Sequence, residues 1–195
     1  MQGTELYRHL LDVVVALLLA LGFVSPAQAA PGDLDPSFGT GGKVITDFTD
    51  MLFRPSSDQA QELALQADGK IVLAGSSYNG AGGDFALARY NPDGSLDTTF
   101  GTNGTVTTDF GADYEESATT FALQADGKIV VAGSSYNGTG DDFALARYNP
   151  DGSLDPTFGT DGIVTTDFSG DSDSANDLAL QADGKIVVAG HAYTQ

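Results

Sequence analysis

The sequence predicts an all-β fold of four-stranded antiparallel sheets stacked face to face. Three observations carry this. A long unit is repeated along the chain. Asp-Gly turns separate its apolar runs. Those runs are apolar on both faces, with no helical pattern beside them to cover them. Leu63 recurs as Phe121 and Leu178, and residues 63–110 match residues 121–168 at 41 of 48 positions. Upstream, "LDPSFGTGGKVITDF" from Leu34 matches "LDTTFGTNGTVTTDF" from Leu96 and "LDPTFGTDGIVTTDF" from Leu154. The predicted segments are a repeat tail over 33–62, whole repeats of about 58 residues over 63–120 and 121–177, and the start of another over 178–195.

The N-terminal residues read as a secretory signal peptide over 1–29. Their apolar run, Val13 to Val24, is shorter than the roughly 20 residues of a membrane-spanning helix. Pro26 and then "AQA" follow it, and a small-x-small pattern suits signal peptidase, with the cut after Ala29. The basic bias ahead of the run is weak, because Arg8 is accompanied by Glu5 and Asp12. An uncleaved anchor is the alternative. With cleavage, no stable membrane span is expected, and the location is secreted, extracellular or cell surface.

Each repeat holds four strand-like runs. In the second copy they are "FALQ" (Phe121–Gln124), "IVVAGSS" (Ile129–Ser135), "DFALARYN" (Asp142–Asn149) and "IVTTDF" (Ile163–Phe168). "ADGK" between the first two is a hairpin signal, since glycine accepts the positive φ a tight turn requires. Asn149-Pro150-Asp151-Gly152 suits a type I turn, with proline fixing φ at its second position. Alternation puts Phe143, Leu145 and Arg147 on one face and Ala144, Ala146 and Tyr148 on the other. The threonine-rich fourth run suits an outer, partly wet strand. Four-stranded meanders stacked around an axis make a β-propeller. One, four, four and two strands do not close such a ring, so a partial propeller, an incomplete ring, is expected. The chain then reads as a fragment of a longer protein. A ring closed by self-association, or a short open stack, are the alternatives.

The repeated "FALQADGKIVVAGSS" and "FALARYNPDGSLDPTFGTDGIVTTDF" motifs are similar to the delta-60 repeat of bacterial proteins. The resemblance covers about residues 33–195. It implies β-propeller blades and no assigned general activity.

Composition limits the function. The chain carries 27 acidic and 8 basic residues, a net charge of −19. No nucleic-acid partner is expected, because phosphate binding requires a basic face. There is no cysteine, so no disulfide, thiolate metal site or thiol nucleophile. Past the signal segment the sole histidine is His191, which replaces the serine of Ser76 and Ser134. Near-identical blades present one residue several times, whereas an active site needs different residues converging on one point. No catalytic residues and no bound cofactor are expected. Arg89 and Arg147 are expected at strand ends, paired with loop carboxylates.

Calcium is the one candidate ligand with a motif behind it. "NPDGSLD" offers oxygens at Asn91, Asp93 and Asp97, and again at Asn149, Asp151 and Asp155. The EF-hand pattern fits poorly, since its first and last ligand positions fall on Arg89 and Phe100. An Asx turn bonding its own backbone is the competing reading. The acidic stretches 111–117 and 170–177 read as solvated loops. Tyr78 and Tyr136, beside glycines, read as sugar-stacking candidates or as blade-edge packing. The expected function is a secreted, non-catalytic binding or structural module for an extracellular ligand, glycan or protein. The alternative is part of an extracellular propeller enzyme whose active site lies on other blades.

Overall fold

The computed structural model describes residues 30–48, 57–78, 82–111, 115–168 and 171–193. The segment read as a signal peptide, 1–29, lies outside the described residues. Among them no helix is long and apolar enough to cross a membrane. The chain divides into two compact units, Met1–Pro36 and Ser37–Gln195. The described part of the first is a short turn, in which the Asp33 N–H donates to the Ala30 carbonyl at 2.9 Å.

The second unit is all-β. Its first sheet is the meander β1 (Ser57–Leu65), β2 (Ile71–Tyr78), β3 (Gly83–Tyr90) and β4 (Thr105–Thr108). Its second repeats the order with β5 (Glu116–Leu123), β6 (Ile129–Tyr136), β7 (Asp141–Tyr148) and β8 (Ile163–Thr166). A third holds β9 (Asp173–Leu180) and β10 (Ile186–Ala192). All pairings are antiparallel. This is the blade architecture expected from the repeat.

The Asp-Gly turns close hairpins with a positive-φ glycine, as the sequence suggests. At the first, the Gln66 N–H donates to Lys70 O and the Gly69 N–H to Gln66 O. Only Gly69 takes a positive φ, +83°. A type I turn followed by one left-handed glycine makes a bulged hairpin and needs no positive φ at Asp68. The Pro92 and Pro150 turns do the same, with Gly94 and Gly152 as their left-handed residues.

The alternation along β7 divides as predicted. Ala144, Ala146 and Tyr148 join Val72, Phe85, Leu87, Phe100, Phe121 and Ile129 in a core between the first two sheets. Phe143 and Leu145 join Val130, Ala132 and Ala175 in a second core toward the third sheet. Both faces of the middle blade are therefore covered by other sheets.

Two elements differ from expectation. The run Val44–Phe48 forms no strand. Its repeat equivalents, β4 and β8, pair with β3 and β7 of their own blades, and among the described residues it has no such neighbour. The first strand of each blade also begins earlier than its apolar residues suggest. β5 starts at Glu116 and β9 at Asp173, inside the stretches read as solvated loops.

These early starts are held from the preceding blade. β5 packs against β1, β2 and β3, and β9 against β5, β6 and β7. Glu62 Oε2 accepts from the Phe121 N–H at 2.8 Å, and Ser76 Oγ from the Ala118 N–H at 3.1 Å. A bulge at Thr119 turns its hydroxyl toward two carbonyls, Ala132 O in its own blade and Ala175 O in the next, at 3.1 and 2.7 Å.

Candidate functional site

The "NPDGSLD" loops come first, because the sequence singled them out. Asp93 Oδ1 accepts from the Ser95 N–H at 2.9 Å and the Ser95 hydroxyl at 2.6 Å. Asn91 Nδ2 donates to Ser95 Oγ at 3.0 Å. This is an Asx turn closing on its own backbone. Asp151, Ser153 and Asn149 repeat it at 3.0, 2.6 and 3.0 Å. The Ser95 bonds hold the Asp93 carboxyl below its ordinary range, and the Ser153 bonds do so for Asp151.

Asp97 and Asp155 point elsewhere. Asp97 Oδ2 meets Lys70 Nζ at 2.8 Å and Arg89 Nε at 2.7 Å, while Oδ1 accepts from the Thr99 hydroxyl at 2.7 Å. Asp155 repeats this with Lys128 at 3.1 Å, Arg147 at 2.8 Å and the Thr157 hydroxyl at 2.7 Å. Both carboxyls are held far below the ordinary range, Asp97 chiefly by Lys70 and Thr99, Asp155 chiefly by Thr157. The structure thus gives the loop carboxylates separate partners, and the protein's own cations occupy Asp97 and Asp155.

The arginines sit where the sequence placed them, near a strand end with a loop carboxylate. Each guanidinium also lies over a ring, Arg89 on Phe100 and Arg147 on Phe158, 4.6 Å from the centroid in both cases. Arg89 Nη1 reaches across the interface to Pro150 O at 2.6 Å, and the Gly101 N–H donates to Asp151 O at 2.7 Å. The recurring turn is therefore a joint between blades.

His191 is exposed, and its Nδ1 lies 2.9 Å from Asn176 Oδ1. Tyr78 and Tyr136 are partly exposed at the ends of β2 and β6. A cleft of about 270 Å³ lies on the outer face of the first blade, lined by Val44, Ile45, Leu73, Ala86 and Tyr90 among others. It is mostly apolar.

The groupings that sequence reasoning missed lie between blades. Asp84, Asp109 and Glu116 bring one carboxylate oxygen each within 4.8 Å of one another, and Asp142, Asp167 and Asp173 do the same one repeat later. Asp84 opens β3, Asp109 follows β4, and Glu116 opens β5 of the next blade. Phe110, edge-on to Phe85 at 4.7 Å, pins the backbone beside Asp109. Burial pushes the Glu116 carboxyl up to about 7, and the charges of Asp109 and Asp84 add to the shift. A signal was present in the sequence. Asp58, Glu116 and Asp173 recur at the repeat spacing, an acidic position within otherwise variable stretches.

Three segments, residues 66–100, 124–158 and 181–195, match the family model described as "Domain of unknown function (DUF5122) beta-propeller". The chain is similar to the DUF5122 β-propellers. The matched segments span the Asp-Gly hairpin in all three copies, and in the two full copies they run on through the Arg–Asp joint to Phe100 and Phe158. The DUF5122 description agrees with the stacked four-stranded sheets and assigns no activity. No curated protein matches the chain.

Proposed function

We propose that this chain is a secreted, delta-60-like, non-catalytic β-propeller module that presents its blade loops to an extracellular glycan or protein. The observation that carries this reading is the repetition of the same chemistry in each full repeat. Lys70–Asp97–Arg89 and Lys128–Asp155–Arg147 are equivalent ion-paired clusters, and Arg89 ties the first of them to the next blade at Pro150 O. Catalysis would need unlike groups converging on one point. The signal-like residues 1–29 support export, and the partly exposed Tyr78 and Tyr136 support sugar stacking at a loop face.

The test is expression with residues 1–29 intact, followed by N-terminal sequencing and glycan-array binding of the exported product. The expected product begins at Ala30 outside the cytoplasm, and Tyr136→Ala weakens whatever array signal it gives. An uncleaved product kept in the cytoplasm refutes the secretory reading. Turnover of an extracellular polymer by the purified protein refutes the non-catalytic one.

A further inference from the structure

Glu116 is only 2% exposed, yet its Oε2 has no hydrogen-bond partner. Its Oε1 accepts a long bond from the Ser135 hydroxyl, 3.3 Å, and the Phe110 N–H gives the carboxylate only a minor backbone hydrogen bond. A buried carboxylate with a bare oxygen is costly on its own, and two further carboxylates within 4.8 Å add repulsion. A bound cation turns both costs into attraction. We propose that Asp84, Asp109 and Glu116 form a calcium site that clamps the β3–β4 edge of one blade to β5 of the next.

The donor set selects the metal. Three carboxylates with no histidine or cysteine suit a hard cation and disfavour zinc or copper. Calcium–oxygen bonds are about 2.3–2.6 Å, so ligands on opposite sides of the ion stand about 4.6–5.2 Å apart. Oxygens within 4.8 Å of one another can share one such ion. Magnesium demands near-ideal octahedral geometry and gives up its waters reluctantly, so an irregular set of protein carboxylates favours calcium. Asp109 is exposed, which leaves an entry path and room for the waters that complete calcium's shell. This site is distinct from the "NPDGSLD" loops, whose Asp97 and Asp155 already hold the protein's own cations.

The second cluster has less need of an ion. Asp173 Oδ2 accepts from the Phe168 N–H at 2.6 Å. Glu116, one methylene longer than Asp173, is the member left with a bare buried oxygen. The first cluster is therefore the tighter site.

The experiment is calorimetric titration of the metal-stripped full chain with calcium alone and with magnesium alone, beside melting curves in chelator and in calcium. A Kd of about 10⁻⁴–10⁻³ M is expected, as in other extracellular calcium modules. At about ten times that concentration calcium raises Tm by about 3–6 °C, with a smaller effect of magnesium. Glu116→Gln keeps the shape, and Asp109→Asn alters only an exposed position. Each is expected to lose the shift and at least tenfold in affinity, while Asp93→Asn keeps both. Having two variants covers the case in which one does not fold. Identical melting in chelator and calcium with no heat of binding overturns the site. So does wild-type binding by either folded variant, or loss of binding in Asp93→Asn.

Discussion

Asp97 shows how one side chain serves two levels of structure. Its carboxylate fixes Arg89 and Lys70 in place, and Arg89 in turn reaches the next blade at Pro150. The side chain is 5% exposed and Arg89 8%, but Lys70 is 28% exposed. The interaction therefore stands between a surface pair, worth under about 1 kcal/mol, and a buried pair, where removing one partner costs about 3–5. Asp97→Asn is expected to lower unfolding free energy by about 2 kcal/mol at neutral pH, measured by urea denaturation. The pH dependence has a definite sign. The folded Asp97 carboxyl lies below its ordinary value of 3.8, because Lys70, Thr99 and Arg89 favour its charged form. Its contribution is complete above that ordinary value and is lost as pH falls through the lower folded value. Wild type should therefore lose more stability than Asp97→Asn on acidification below about pH 4. Parallel acid curves for the two proteins would show that the joint contributes nothing through charge.

Within one blade, the first hairpin depends on a glycine with an ordinary φ and no spare space. A Cβ on Gly133 would stand 1.9 Å from Ser117 O and 2.9 Å from Ala118 Cα, where the bulge of β5 presses on β6. Gly75 and Gly190 face the same obstruction at 1.8 and 2.0 Å. Gly184 differs, with a φ of +84° and open space around its Cβ position. Gly133→Ala is expected to cost about 3 kcal/mol by overpacking. Gly184→Ala costs about 1, from backbone strain alone. Equal costs in denaturant unfolding would mean that the bulge shifts freely. The same bulge marks the limit of what the sequence made legible. β2, β3, β6 and β7 were readable because apolar runs and Asp-Gly turns are local signals. The starts of β5 and β9 were not, because "ESATT" and "DSAND" look solvated until a neighbouring blade supplies partners, as Ser76 and Glu62 do for β5. Glu116 was hidden for the same reason. Its cluster exists only once β5 lies against the previous blade's Asp84 and Asp109.

In the stack as a whole, the same repeat position meets different surroundings according to the blade that carries it. Leu63 and Phe121 are equivalent, one repeat apart, on β1 and β5. Phe121 is 5% exposed within the core between the first two sheets, while Leu63 is 62% exposed. Leu65 is 68% exposed, whereas its equivalent Leu123 packs against that core. Stability should follow this difference and not the repeat. Phe121→Ala is expected to cost about 3–5 kcal/mol, the usual range for emptying a buried aromatic site. Leu63→Ala, with little area to lose, should stay within about 0.5. Both are measured by urea unfolding over a range of protein concentrations. A Leu63→Ala cost approaching that of Phe121→Ala has a different reading: the β1 face is then covered in solution. If that cost grows with protein concentration, the cover is a second copy of the chain, because only association makes apparent stability depend on concentration.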